Sequence, residues 1–291
     1  MKGKKYCELS AYKQCQNFLS ILLCLVITTC FLYTLSPILY GQNRAQAKLL
    51  KKAYENQSEQ MLFTFFDNWS NEISSNENDA PDKWVAEAHQ MFASFYQPLK
   101  LSKKAHDSFA RKIYQDCPYY IVQGSLWKIL VVDTIWQTSE ELGEYYWKYG
   151  YNYWKFFHAT MMDSDIVFRP PVHFPDKKIV YLTPKHKKLL DNFLGNKHVE
   201  LGKHNTMQPA YSTDQSRSKM DFICKAATIF HGHWGGYWQY ETYPQANLIV
   251  FDSQMQRAVV YFRFVYEGGV VILGKENDKW TVVSSQFIWI E

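Results

Sequence analysis

The last fifth of the chain constrains the fold more than any other stretch. From Trp234 to Glu291, the chain consists of short runs in which apolar and polar or aromatic residues alternate one by one, and turn-forming residues separate these runs. Side chains of a strand point alternately to two faces, so this pattern predicts consecutive β-strands. Because the connecting turns are short, we expect neighbouring strands to pair antiparallel.

The predicted strands are rich in aromatic residues, as is the whole chain, with 21 Tyr and 19 Phe against 13 Gly. This composition favours sheets with wide faces. Both faces of the strand Ala258–Tyr266 are largely apolar, so we expect both faces of the sheet to be covered over part of their area. The strands are predicted at 222–230, 234–242, 246–252, 258–266, 270–275 and 280–290.

The second strong feature is an apolar segment near the start. Phe18 to Tyr40 contains no charge, and no charged residue occurs between Lys13 and Arg44. A helix of this length spans a hydrocarbon core of about 30 Å. A buried helix of a soluble protein would show an apolar stripe, whereas this segment is apolar all round. The sequence therefore predicts a transmembrane helix over residues 17–41.

Three membrane interpretations compete. The preferred one is an uncleaved signal anchor. A cleaved signal peptide would use the small residues of Ala45-Gln46-Ala47 as its cleavage site. A lipoprotein signal would use Cys30, but strongly apolar residues continue beyond it. Basic residues flank both ends of the segment, so we predict orientation from the usual behaviour of a lone N-terminal span. Residues 1–16 form the cytoplasmic tail, and 44–291 form an extracytoplasmic domain, periplasmic in a bacterium.

Helical patterns precede the sheet. Apolar residues at spacings of three and four predict a helix from Ala47 through Trp69, and another between Pro81 and Pro98. Thr183 as N-cap and Gly195 at the C-terminal end delimit a further helix. Residues 118–123 and 126–133 are predicted to pair through a turn at 124–125, and 196–220 to form a surface loop. The predicted fold class is α+β: a curved antiparallel sheet packed against N-terminal helices, after one transmembrane helix.

Four stretches together resemble a known superfamily. They are Gly235–Pro244, Ile249–Asp252, Ala258–Phe262 and Gly274–Trp280, the last with a lysine, a polar turn, a second lysine and a tryptophan. The chain resembles the nuclear transport factor 2-like (cystatin-like α+β) superfamily, best over residues 234–291. That superfamily includes ketosteroid isomerases, polyketide cyclases and many non-catalytic domains, so the resemblance does not decide function.

The resemblance carries further expectations. Domains of this superfamily usually span about half the soluble length found here, which implies a large insertion at about 134–220. Their enzymes hold an acid or base on the concave face of the sheet, in a cone-shaped pocket. Such sheets often pair face to face, which implies a homodimer through the sheet face.

Residues that could carry chemistry are few. His231 and His233 would lie on one face of a strand, but zinc needs a third protein ligand, and the spacing requires neither Asp221 nor Glu241 to supply it. Asp252 could act as an acid or base if an apolar pocket raised its pKa. An aspartate at a strand end commonly bonds its own turn instead. These are weak catalytic candidates, and we predict no metal site and no cofactor.

Two further residues are candidates for ligand binding. Arg263 lies on a largely apolar face, where it either pairs with an acid or meets an anionic ligand. Tyr240 is the other candidate. Its neighbour Glu241 would point to the opposite side of the sheet, so the two would not line one pocket.

The charge, the missing motifs and the cysteines further limit the classes of function that the chain can have. The net charge of +4 gives no concentrated basic face, so we predict no nucleic-acid partner. The sequence has no Gly-rich phosphate loop and no nucleophile motif. Cys117 and Cys224 are the cysteines of the domain, either bonded to each other or present as two buried thiols.

These observations favour a membrane-tethered extracytoplasmic binding or assembly domain without catalytic activity, held to the membrane by Phe18–Tyr40. One alternative is a small-molecule isomerase or cyclase that transfers protons in the cone. A second alternative is a component of an envelope secretion or conjugation complex. A deep apolar pocket with one desolvated carboxylate or histidine would favour the enzyme, and a pocket filled by Phe and Trp side chains would oppose it.

Overall fold

The structure is a computed structural model that describes residues 44–74, 82–106, 114, 116–126, 128–133, 135, 160–162, 166–195, 214–231 and 238–290. The chain divides into two compact units, residues 1–49 and 50–291. In the first unit, the described residues 44–49 are helical. The predicted cytoplasmic tail and transmembrane segment lie outside the described residues. Within the described part of the chain, no helix is long and apolar enough to cross a membrane.

The second unit is α+β. After the helical residues 50–55 come α1 (Glu59–Ser74), α2 (Lys83–Phe95), α3 (Pro98–Lys104), β1 (Tyr119–Gln123), β2 (Ser125–Leu126), β3 (Lys128–Val132), β4 (Thr160–Met162), β5 (Ile166–Val167), β6 (Lys178–Leu182), α4 (Pro184–Leu194), α5 (Asp214–Cys224), β7 (Phe230–His231), β8 (Trp238–Gln239), β9 (Gln245–Asp252), β10 (Arg257–Phe264), β11 (Glu267–Glu276) and β12 (Lys279–Ile290).

The main sheet has six strands in the order β12-β11-β10-β9-β3-β4. Strands β9 to β12 form the predicted antiparallel meander, and their bounds agree closely with the sequence pattern. The prediction of a wholly antiparallel sheet is wrong, because β3 lies parallel to β9. More than 100 residues separate these two strands in sequence, so no tight turn determines their relative direction.

The predicted hairpin around Gly124 is also wrong. Strand β1 pairs in parallel with β6, and Tyr119 lies opposite Lys178. The residues after Gly124 form β2, which pairs with β5, and β3 then joins the main sheet. All five residues of β1 are buried, so pairing here follows tertiary packing and not the local turn signal.

The helix predictions had mixed outcomes. Helix α4 is confirmed: the Thr183 side chain accepts a hydrogen bond from the backbone N of His186, and Gly195 has φ 84°. The helix expected from Ala47 through Trp69 is instead interrupted at residues 56–58, where Gln57 has φ 49°. Helix α5 replaces part of the predicted surface loop and the start of a predicted strand.

Helix α2 packs on one face of the main sheet, and its Glu87 also bonds the β11–β12 hairpin. Glu87 accepts one hydrogen bond from Nζ of Lys275 and one from Nε1 of Trp280, each 2.8 Å long. Lys275 also lies 5.6 Å from the centre of the Trp280 ring. The lysine and tryptophan of the Gly274–Trp280 motif therefore join the last hairpin to this helix.

Both faces of the sheet are buried, as its two apolar faces predicted. The face toward α2 holds Phe251, Phe262 and Phe264. The opposite face holds a separate cluster that includes Val259 and Ile272, each 0% exposed. Among the described residues, the central strands β3, β9, β10 and β11 therefore have no large apolar face open to solvent.

Helix α1 packs on β6 through Trp69. This side chain is 0% exposed, and its Nε1 donates to the carbonyl of Tyr181 at 3.0 Å. The imidazole of His186 stacks on its ring at 4.3 Å with planes 10° apart. Nδ1 of that imidazole lies 2.8 Å from Oγ1 of Thr183, and Nε2 lies 3.4 Å from Oε2 of Glu72. The histidine is thus enclosed at the α1–α4 contact.

The enclosed histidine should make stability depend on pH. Burial lowers the pKa of His186 from 6.5 to about 4, with the Glu72 carboxylate acting in the opposite direction. Between these values the unfolded chain binds a proton that the folded chain does not. The stability from neutral His186 is therefore fully present above about pH 6.5 and is lost as pH falls toward about 4, by up to about 3 kcal/mol.

Urea unfolding at pH 7, 5.5 and 4.5 tests this expectation. The control is His186→Gln, which keeps a polar side chain but removes the titrating group. We expect the variant to lose less stability than the wild-type protein over this range, because the remaining titratable groups are shared. Parallel losses in the two proteins would contradict the role of His186.

Candidate functional site

A cleft of about 450 Å³ opens where β1 and β2 approach the start of β9. Its lining combines one carboxylate, one hydroxyl group, several amide groups and two apolar side chains. The residues are Gln123, Ser125, Leu126, Glu241, Gln245, Ala246 and Asn247. We call this the Glu241 cleft.

The backbone around the Glu241 cleft is held by buried hydrogen bonds. The Gln123 side chain donates from Nε2 to the carbonyls of Ser125 and Ala246, each at 3.1 Å. The backbone N of Ala246 donates to Oε1 of the same glutamine. Nearby, the backbone N of Ile121 donates to Oγ1 of Thr242 at 3.0 Å. These contacts fix the cleft walls, so the site is preformed.

The carboxyl of Glu241 has an unusual environment. The residue as a whole is half-buried, yet burial raises the pKa of its carboxyl above the ordinary value of 4.5. Backbone N–H groups, the Lys187 charge and the Gln245 side chain act in the opposite direction. A desolvated acid in a cleft can exchange a proton or pair with a cationic or hydroxyl-bearing ligand.

A second polar network lies beside this acid. Tyr240 is 1% exposed and donates from its hydroxyl to Oδ1 of Asp191 at 2.6 Å. Oδ2 of Asp191 accepts from Nζ of Lys187 at 2.9 Å, and that lysine lies 5.8 Å from the Tyr240 ring. Burial and the Asp191 carboxylate raise the pKa of Tyr240 well above its ordinary value.

The side chains of the adjacent residues Tyr240 and Glu241 point in different directions. Glu241 lines the cleft, whereas the Tyr240 hydroxyl points to α4. The expectation that the two residues would not share a pocket agrees with this geometry. The Tyr240 hydroxyl thus anchors the segment before β9 to α4.

Of the weak catalytic candidates, Asp252 and His231 do not line the Glu241 cleft. Oδ1 of Asp252 accepts from the backbone N of Gln256 at 2.7 Å and of Arg257 at 3.2 Å, so its carboxylate closes the β9–β10 turn. His231 lies opposite Trp238, with ring centres 5.2 Å apart. His233 lies outside the described residues.

Arg263 lies near the end of β10 and bonds the backbone of its own turn. Nε of Arg263 donates to the carbonyl of Val265 at 2.7 Å, a residue with φ 58° at the β10–β11 turn. Part of the arginine side chain is thus occupied by the backbone of its own turn. Among the described residues, no group of three His, Cys, Asp or Glu side chains could hold a metal ion. Cys117 and Cys224 are free thiols.

Aromatic side chains fill the α2-covered face of the sheet. Phe262 contacts Phe95 and Phe287, with ring centres 6.2 and 5.5 Å apart. Phe251 contacts Trp84 and Trp280 at 5.7 Å each. This face is therefore a packed core.

In the sequence, Glu241 is one of several polar candidates for the sheet face and a possible third zinc ligand, whereas Gln123 and Gln245 are not among the candidates. The available signal was local: an acid and two amides close to Pro244, in a chain segment between two strands. That signal is common in turns. The cleft forms only because β1, distant in sequence, lies against this segment.

Comparison with known proteins gives no relative: no family model, no curated protein and no solved structure matches the chain.

Proposed function

We propose that this protein is a membrane-tethered extracytoplasmic domain that binds or assembles with other molecules and does not catalyse a reaction. Its tether is the apolar segment Phe18–Tyr40. The observation that carries the proposal is the aromatic filling of the α2-covered sheet face. A substrate bound in a cone needs an open cavity there, and the Phe and Trp side chains occupy that volume.

Membrane attachment and orientation are tested on the full chain with a C-terminal tag. We expect the chain to stay with membranes during alkaline carbonate extraction, and the tag to be digested by protease added from outside the cytoplasmic membrane. Deletion of residues 17–41 should release the chain to the soluble fraction. A tag that is protected in sealed spheroplasts and digested after lysis would contradict the orientation.

A proton-transfer enzyme is the second candidate, and the raised pKa of Glu241 in its cleft favours it. A β,γ-unsaturated ketone such as cyclohex-3-enone is a suitable probe, because its isomerisation needs proton removal next to a carbonyl. We expect the wild-type chain and Glu241→Gln to give equal rates, both equal to buffer. A wild-type rate about 100-fold above that of the variant would favour the enzyme instead.

The remaining alternative is a component of an envelope secretion or conjugation complex, in which one N-terminal span joins such a domain to a larger assembly. This alternative differs from the main proposal in its partner. Crosslinking from the domain surface in intact membranes separates them, because a complex component gives adducts with other envelope proteins.

A further inference from the structure

Strand β12 is the surface of this domain best suited to pair with another chain. It is one of the two outer strands of the main sheet, longer than the other, β4, and within the described part of the chain it pairs only with β11. It has 12 residues, which corresponds to about 40 Å of extended backbone. A sheet edge of this length offers a row of backbone N–H and C=O groups to an added strand.

Edge strands of soluble domains usually carry charges or proline that oppose such pairing. No charged residue and no proline occurs from Trp280 to Ile290. Of the five exposed large hydrophobic side chains in the described structure, three lie on β12, namely Val282, Val283 and Ile290, with exposures of 46%, 54% and 63%. Two register shifts against β11, near Ile288 and Val283, and the lysine at the start of the strand, Lys279, are protective features of this edge.

The order of residues on β12 favours a second copy of this chain as the partner. When two identical strands pair antiparallel about a twofold axis, each residue meets one at the same distance on the other side of the axis. Ser285 is the middle of the run from Trp280 to Ile290. Around it, the apolar pair at 282–283 has its counterpart in the apolar pair at 287–288, and polar Ser284 has polar Gln286.

We propose that β12 pairs antiparallel with β12 of a second copy of this chain, about a twofold axis near Ser285, and so joins two sheets edge to edge. This inference rests on the assembly role proposed above and names its partner. The uncharged run matters because a charge near Ser285 would face its own copy across the axis, and like charges opposite each other destabilise a strand pair. The contact differs from the face-to-face dimer that the resemblance implies.

The test places a photoreactive p-benzoylphenylalanine at Val283 of the full chain in its membrane. Illumination should give an adduct with the mass of two chains. The matched control is the same probe at Val167, an exposed valine on β5 (62% exposed), which should give no such adduct. Resistance of the labelled chains to limited proteolysis checks that both are folded.

A second substitution tests the strand contact itself. Ser285→Lys, combined with the probe at Val283, places two like charges opposite each other at the twofold axis and should lower the dimer adduct by about fivefold. Val167→Lys should leave it unchanged. An adduct from Val283 with a different protein alone would overturn the second copy as partner and leave an assembly role. Equal, minimal labelling from Val283 and Val167 would overturn the self-pairing through β12.

Discussion

Replacement of Trp69 by alanine is expected to lower the free energy of unfolding by about 3–5 kcal/mol. The side chain is 0% exposed, stacks on Phe66 with ring centres 5.6 Å apart, and covers the imidazole of His186 at 4.3 Å. Its removal leaves a cavity between α1, β6 and α4, and it leaves the Tyr181 carbonyl without this donor. Urea unfolding followed by circular dichroism measures the loss.

The control for this change is Trp69→Phe. Phenylalanine keeps much of the aromatic contact but lacks the N–H that bonds Tyr181, so we expect a smaller loss of about 1–3 kcal/mol. In Trp69→Ala, opening of the site should also raise the pKa of His186 toward 6.5, because burial is the main cause of its depression. A loss below about 1 kcal/mol, or an unchanged histidine titration by NMR, would contradict the packing role.

Gly124→Ala is expected to destabilise the domain by about 3 kcal/mol, near the upper end of the range for overpacked sites. A Cβ atom at this position would lie 2.1 Å from the carbonyl oxygen of Leu182 and 2.7 Å from its carbonyl carbon. Both are backbone atoms of the strand that pairs with β1, so relief of the clash requires separation of β1 from β6. The Gly124 carbonyl also accepts a hydrogen bond from Phe168 at 3.0 Å.

Gly274→Ala is the matched control, because its Cβ would meet only a side-chain atom, Cγ2 of Val283, at 3.3 Å. Val283 is exposed and can move, so we expect a change within about 1 kcal/mol. Thermal or urea unfolding of the two alanine variants under one set of conditions makes the comparison. Equal stabilities would contradict the close approach of Gly124 to β6.

Local sequence signals were accurate where the structure depends on neighbours in the chain. The boundaries of α4 follow from a cap, a proline and a glycine that act within the helix itself. The turns of the β9–β12 meander likewise join consecutive strands. Where partners are distant, the same signals misled: the turn pattern at Gly124 does precede a second strand, but β1 pairs with β6, which lies more than 50 residues farther along the chain.

The candidate site was harder to foresee than the fold. Asp252 closes a turn, an arrangement that its place at a strand end already indicated. Glu241 gives no such local signal, because its raised pKa depends on desolvation by the surrounding structure. Arg263 was expected to meet an acid or an anion, and its Nε bonds a backbone carbonyl two residues away, a contact that the sequence did not suggest. The left-handed conformation of Val265 creates that contact, and nothing in a valine predicts it.

The sequence alone determined the α+β class and the strand order within the C-terminal meander, because alternation and short turns act between adjacent residues. It also indicated that both sheet faces would be covered. Only the tertiary structure decided that β3 lies parallel to β9, that aromatic side chains fill the α2-covered face, and that a cleft forms at Glu241. Each of these depends on contacts between segments far apart in the chain, and their energies come from burial, which no local pattern specifies.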